Sequence, residues 1–381
     1  MNSLQILRAW FIFALAIAPI SCGTGERSQI PVLSHVDGGP ARTGVMPGPA
    51  PAGELTELWR VHGDIACPVI VGGDYTLYTC RGKGDSLLAL DPDDGTVIWT
   101  VPTQEAGGFA LGAGLLIGNT EEAGVYFARD AGDGALRWQV YDQCCSYSAP
   151  LILANLAIVG WGSRVAAVDL LTGEILWDRT YEKLSRPEFS SDGTALLLAS
   201  EARIYRVVPE TGGVVWAAGD SNRSLWWQRP AISQGLVVTR ERWPRGGRVG
   251  IVVRDLETGA ERWNSGPIGW IGWLVVDESA IYVPVDGVLR AFDLQTGDPR
   301  WETRFVTRRR GGASLSDHAL YVGVEGGAID VYDARSGAWL RTASVDPGLE
   351  IGDIAIAGGR IYVVGDNERL DEGVLVALGS R

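Results

Sequence analysis

The stretch Ala167-Val168-Asp169-Leu170-Leu171-Thr172-Gly173-Glu174-Ile175-Leu176-Trp177 decides the fold, because it recurs. The pattern is a small residue, an apolar residue, Asp, two variable residues, Thr or a substitute, Gly, three variable residues and Trp. Earlier copies are Ala89-Leu90-Asp91 with Gly95 and Trp99, and Ala128 with Asp130, Gly134 and Trp138. Arg206 with Gly212 and Trp216 follows, with Val208 in the Asp place. Next come Val253 with Asp255, Gly259 and Trp263, and Ala291 with Asp293, Gly297 and Trp301. In Val331, Asp333 and Gly337 the Trp place holds Arg341, and Val376-Ala377-Leu378-Gly379 is an eighth copy cut short. The Asp positions are spaced 39, 39, 39, 47, 38, 40 and 46 residues apart. A fixed period of this length marks a repeat architecture, in which each unit needs its neighbours to bury its faces.

Around the quoted stretch, Leu151-Ile152-Leu153, Ala157-Ile158-Val159 and Val165-Ala166-Ala167-Val168 are short apolar runs. Asn155 and Gly162-Ser163 separate them, and Ile175-Leu176-Trp177 follows the Asp-Gly turn. Four short strands per unit, with no sustained 3.6-residue period, predict an all-β chain. Four-stranded antiparallel units of about 40 residues arranged radially make a β-propeller. The recurring indoles Trp59, Trp99, Trp138, Trp177, Trp216, Trp263 and Trp301 are read as wedges between adjacent sheets. The Gly of each turn is read as a positive-φ position, and the Asp side chain as an acceptor for turn amides. These Asp residues are therefore structural.

The two chain ends fix the number of blades. Glu54–Val61 carries Leu58-Trp59 without three preceding strands, and Asp346–Gly379 carries three strands without a fourth. Joining them completes one blade, which predicts an eight-bladed propeller over residues 54–381 with no free sheet edge.

Residues 1–21 read as an address. Arg8 precedes an apolar run from Ala9 to Ile20, too short to span a bilayer and suited to a signal-peptide core. Ser21 before Cys22 fits a lipoprotein-type leader with Cys22 as the lipid acceptor; ordinary secretion and an uncleaved anchor are the alternatives. No later stretch is long and apolar enough to cross a bilayer. Residues 22–53 are rich in Gly, Pro and small polar residues and are expected to act as a tether. With Cys22 lipidated, four cysteines remain, an even number in an oxidising compartment. Cys67 and Cys80 flank a hairpin tipped by Gly72-Gly73-Asp74 at nearly matched offsets. That fits a cross-strand disulfide, with two buried thiols as the alternative.

The 33 Lys and Arg residues stand against 46 Asp and Glu, a net charge of −13. This excludes a general nucleic-acid binder and loose adhesion to anionic lipid. The three histidines, His35, His62 and His318, lack metal-ligand spacing. Asp91-Pro92-Asp93-Asp94-Gly95 mimics the start of a calcium loop, but position twelve is Pro102. No metal site is read.

The repeated unit resembles that of the pyrrolo-quinoline quinone (PQQ) propeller superfamily over residues 54–381. Val36-Asp37-Gly38-Gly39-Pro40-Ala41-Arg42-Thr43-Gly44-Val45 looks like the lead-in before such propellers. The superfamily holds periplasmic quinoprotein dehydrogenases, which use PQQ and Ca²⁺, and propellers without catalysis. Among the latter is the lipoprotein of the outer-membrane β-barrel assembly machinery, a scaffold that binds the central barrel protein. Length, unit number and the lipoprotein-type Cys22 are similar to that second class. The resemblance implies a monomeric, non-catalytic protein-binding propeller, on the periplasmic face of the outer membrane, at the cell surface or secreted, with no cofactor; a PQQ-dependent oxidoreductase using PQQ and Ca²⁺ is the alternative.

The dehydrogenases carry an adjacent cysteine pair beside the quinone, and Cys144-Cys145 stands in the corresponding segment. Adjacent Cα atoms lie about 3.8 Å apart, below the usual disulfide range, so a Cys144–Cys145 bridge is strained. Two thiols or a rigid turn are the alternative. Ser146-Tyr147-Ser148-Ala149-Pro150 does not match the polar, Arg-bearing stretch of the enzymes. The loops leading into the innermost strands should gather at one mouth of the channel. They carry Cys144, Cys145, Arg186, Glu188, Trp226, Trp227, Arg229, Trp270, Trp273, Arg309 and Arg310. Trp and Arg together suit a protein interface. Leu184-Ser185-Arg186 resembles the assembly factor's partner-binding loop. The mouth aromatics also permit a glycan- or surface-binding propeller.

Overall fold

The computed structural model describes residues 35, 37–82, 85–103, 106–120, 124–141, 148–219, 223–225, 229–244, 247–306, 309–367 and 372–380, with the side chains of residues 106, 107, 309 and 310 left aside. Cys22, Cys144, Cys145, Trp226 and Trp227 lie outside the described residues, as does the leader.

The quoted repeat builds one blade in full. Leu151–Leu153, Leu156–Trp161, Arg164–Asp169 and Ile175–Thr180 pair in that order, all antiparallel. The turn between the last two closes on itself. Gly173 N donates to Asp169 O at 2.9 Å, and the amides of Leu171 and Thr172 donate to Asp169 Oδ1. Gly173 sits at φ 77°, which L side chains rarely adopt. A bulge between Ala167 and Val168 lets Trp177 face the next blade.

Eight such sheets form the propeller. We number the blades from the one that starts at Ile70–Val71, so the quoted repeat is the third. The eighth is closed by the chain ends: Leu55–His62 pairs with Glu372–Ser380, placing Trp59 opposite Ala377. In the fifth, the innermost strand is split into Ser224–Leu225 and Ala231–Ser233, and both pieces pair with Leu236–Arg242. The 47-residue spacing marks this blade, and most of its extra residues lie in the long hairpin between Leu236–Arg242 and Val249–Asp255.

Blades are joined by a repeated latch. Trp138 Nε1 donates to Leu170 O at 2.9 Å, the carbonyl just after the Asp of the following blade. The same bond recurs from Trp59, Trp99, Trp177, Trp216, Trp263 and Trp301. Each ring also lies against the Gly of that turn: a Cβ on Gly173 would come 2.7 Å from Trp138 Cγ. The Gly therefore meets two demands, a left-handed backbone and room for an indole. At the eighth junction no covalent turn exists, and Arg341 in the Trp place donates to Gly53 O. Between the blades lie buried apolar clusters, such as Leu151, Ile158, Phe189 and Leu198 between the third and fourth. Cys67 and Cys80 form a disulfide with Cα atoms 5.1 Å apart, clipping the first blade's approach to its second strand.

The reading of residues 22–53 as a tether is corrected for its described C-terminal half. Ser191 N donates to Pro40 O, Ile232 N to Ala41 O, Val276 N to Thr43 O and Leu315 N to Gly44 O. Gly48 N donates to Ile356 O, and Gly358 N returns a bond to Gly48 O. With Ile152 N donating to His35 Nε2, the segment touches the inner strands of the third to eighth blades in chain order. The physical reason is plain. Inner strands turn one edge toward the channel axis, where their amides have no neighbouring strand. A chain poor in bulky side chains can lie flat against those edges and accept their bonds. Met46 is buried in the same contact.

Candidate functional site

The channel axis carries a charged cluster enclosed by several blades and the lead-in together. Arg42 is 4% exposed, and its Nε donates to Phe189 O at 3.3 Å. Arg229 stands just before the inner strand of the fifth blade and lies between two carboxylates. Its Nη1 is 3.0 Å from Asp37 Oδ2, and its Nε is 2.7 Å from Glu188 Oε2. The second contact is an ion pair off the line of a hydrogen bond. Glu188 opens the inner strand Glu188–Ser191, so its position is fixed by the sheet.

Burial and charge set the protonation of the cluster. Burial lowers Arg42 to about 9, helped by the charge of Arg229, so Arg42 remains a cation at neutral pH. For Arg229, burial alone would lower the pKa, but Glu188 and Asp37 outweigh it and the group is raised above its ordinary value. His35 is held well below 6.5 by burial, then by Arg42 and Arg229. It is neutral, with Nε2 accepting from Ile152 N at 2.9 Å. Burial raises Asp353 to about 6, with Asp37 pushing the same way and Arg229 against.

Asp37, Arg42, Glu188, Arg229 and Asp353 line a cavity of about 540 Å³ in the channel, with Met46, Trp273, Gly311, Gly312 and Gly352 among its walls. Of the residues expected at one mouth, the structure brings Glu188, Arg229 and Trp273 together here. Arg186 and Trp270 stand apart from the cavity. Arg186 is exposed at φ 49°, and Trp270 is 57% exposed, its amide donating to Asp286 Oδ1. Arg309 and Arg310 begin the strand Arg309–Ser316, but their side chains are among those left aside. Asp37, Arg42 and Asp353 were missed by the sequence reading, and His35 was weighed only as a metal ligand. The lead-in motif around Asp37 and Arg42 was the available signal.

A calcium-bound quinone would need six to eight oxygen donors around the metal. Among the described residues no three of His, Cys, Asp and Glu gather to hold an ion. Asp37 and Glu188 are both committed to Arg229.

Fold and lumen define a class: an eight-bladed PQQ-like propeller whose own N-terminal segment crosses its channel. A family model described as outer membrane protein assembly factor BamB matches residues 53–194 and 200–374. The chain belongs to that family. It is similar to the BamB of Burkholderia pseudomallei (strain K96243), with 24% identity over 319 residues, covering 81% of this chain and 74% of the relative. It is also similar to the BamB of Shewanella oneidensis, with 26% identity over 207 residues, 46% of this chain and 51% of the relative. Among solved structures, BamB from Moraxella catarrhalis superposes with a TM-score of 0.67 at 16% identity, covering 86% of this chain and 98% of that one. Quinohemoprotein alcohol dehydrogenase from Comamonas testosteroni gives 0.69 at 14% identity, covering 93% of this chain and 82% of that one. At such identities both structural likenesses speak for the fold alone.

Proposed function

We propose that this chain is a non-catalytic, exported propeller that scaffolds protein partners during outer-membrane protein assembly. It is carried to the periplasmic face of the outer membrane by lipid on Cys22 and works as a monomer without a cofactor. The family match along nearly the whole propeller carries this reading. Two features of the molecule support it. The loops before the inner strands present Arg186 and Trp270 to solvent on a closed, rigid ring. In the described lumen Arg229 is paired with both Asp37 and Glu188, an arrangement suited to holding the fold.

The test is recovery of partners from membranes by the full lipoprotein. A component of the barrel-assembly machinery should co-purify, and Arg186→Ala and Trp270→Ala should reduce its recovery. Absence of any such component from the wild-type sample would overturn the assembly role. Dye-linked alcohol oxidation after addition of PQQ and Ca²⁺ would overturn the non-catalytic reading.

A further inference from the structure

One carboxylate in the lumen, Asp353, makes no hydrogen bond or ion pair among the described residues. The inner strand Leu349–Ala357 bulges between Ile351 and Asp353, and its neighbour Arg309–Ser316 bulges between Arg309 and Ala313. Gly311, Gly312 and Gly352 bring no side chains to these bulges, and the space they leave is part of the 540 Å³ cavity. Asp353 lines that space, whereas Asp37 and Glu188 are both engaged by Arg229. Among the described side chains of the lumen, Arg42 and Arg229 face three carboxylates, Asp37, Glu188 and Asp353. Asp353 is exposed, and its surface opens into the cavity. A carboxylate lining such a concave space attracts a cation.

We propose that the cavity binds an organic monocation, a primary ammonium on a short aliphatic body, with Asp353 as its counter-ion. A bare metal ion is a poorer match, since no set of three ligating side chains gathers among the described residues. The volume suits a small organic molecule. Val69, Trp273, Leu274 and Val364 offer apolar walls for methylene groups. The ammonium can arrive on a free amine or at the end of a lysine side chain from a bound polypeptide. The inference goes beyond the scaffold reading and does not rest on it.

Titration calorimetry of the full chain at pH 7.5 tests it with three probes: n-butylammonium, neutral n-butanol, and a capped Gly-Lys-Gly peptide. At least one of the two cations should bind one to one, and butanol should not. Binding of the peptide alone assigns the ammonium to a protein side chain; binding of butylammonium assigns it to a free amine. Asp353→Asn should weaken binding at least tenfold. A shift to pH 5 should do the same in the parent protein, because Asp353, facing Asp37 and Arg229, takes up its proton. The proposal fails if neither cation binds, if butanol binds equally well, or if Asp353→Asn leaves affinity unchanged. Should that variant fold poorly, carboxyl NMR on the parent decides. Saturating amine should lower the titration midpoint of Asp353, and an unmoved midpoint would overturn the site.

Discussion

At seven blade junctions an indole donates to the carbonyl of the next turn and lies on its glycine. Around the lumen, six blades are held by a segment without regular structure, which accepts bonds from their inner amides and buries Arg42. The first arrangement is repeated, an indole packed on a glycine and fixed by one hydrogen bond. The second is polar, long-range and made once. The rim turns many weak strands into one ring, while the lead-in satisfies the edges that the ring leaves facing its own axis. The two regions should respond differently to mutation and to pH.

The largest effect is expected at a buried latch. Trp138 is 8% exposed, so Trp138→Ala should cost about 3–5 kcal/mol. Denaturant unfolding measures it, and a loss below about 1 kcal/mol would break the view that the indoles hold the ring.

Gly173→Ala comes next. A left-handed backbone costs an L residue about 1–2 kcal/mol, and the new methyl would also strike Trp138. The two substitutions should therefore couple. In the double variant the methyl meets no indole, so the combined loss should fall short of the sum of the single losses. Strict additivity would show that the ring and the glycine act separately.

Arg341→Ala should cost less, about 0.5–1.5 kcal/mol, the worth of a partly exposed hydrogen bond to Gly53 O. This junction shows why the repeat lapses there. The eighth blade joins two separate chain segments in place of the turn, and Arg341 reaches instead to Gly53 O, just before the strand Leu55–His62. If Arg341→Ala matches Trp138→Ala, the eighth junction is no exception.

The rim was legible in the sequence because Asp, Gly and Trp solve one local problem within eleven residues, complete in five units and recognisable in the others. The closure was legible for the same reason: Trp59 lacked its three strands and the last unit lacked its fourth. The lumen was not. Asp37, Glu188, Arg229 and Asp353 belong to different blades and the lead-in, and none holds a repeat position. Glu188, Arg229 and Trp273 were singled out as mouth residues, but nothing in their spacing says that Trp270, three residues from Trp273, turns to solvent instead. The lead-in was misjudged because Gly and Pro were taken to mean an absence of contacts. There the backbone itself does the binding, and small residues permit it.

The smallest expected effect concerns pH and belongs to the lumen alone. His35 is held well below 6.5 in the folded chain, by burial first and then by the arginine charges. The unfolded chain therefore takes up this proton first as pH falls. The contribution of His35 is full above about 6.5 and is lost progressively as pH falls below it toward the lowered folded value. Asp353 has the opposite sign. Its folded value near 6 exceeds the ordinary 3.8, so its protonation favours the folded state at low pH, an advantage lost as pH rises from about 4 through 6. Between pH 7 and 5 the two oppose each other, and the parent should show a shallow net slope. His35→Gln removes one arm and Asp353→Asn the other. The first should gain stability relative to the parent on acidification, and the second should lose it. Identical slopes in all three proteins would place the pH response outside the lumen and erase the electrostatic half of the contrast with the rim.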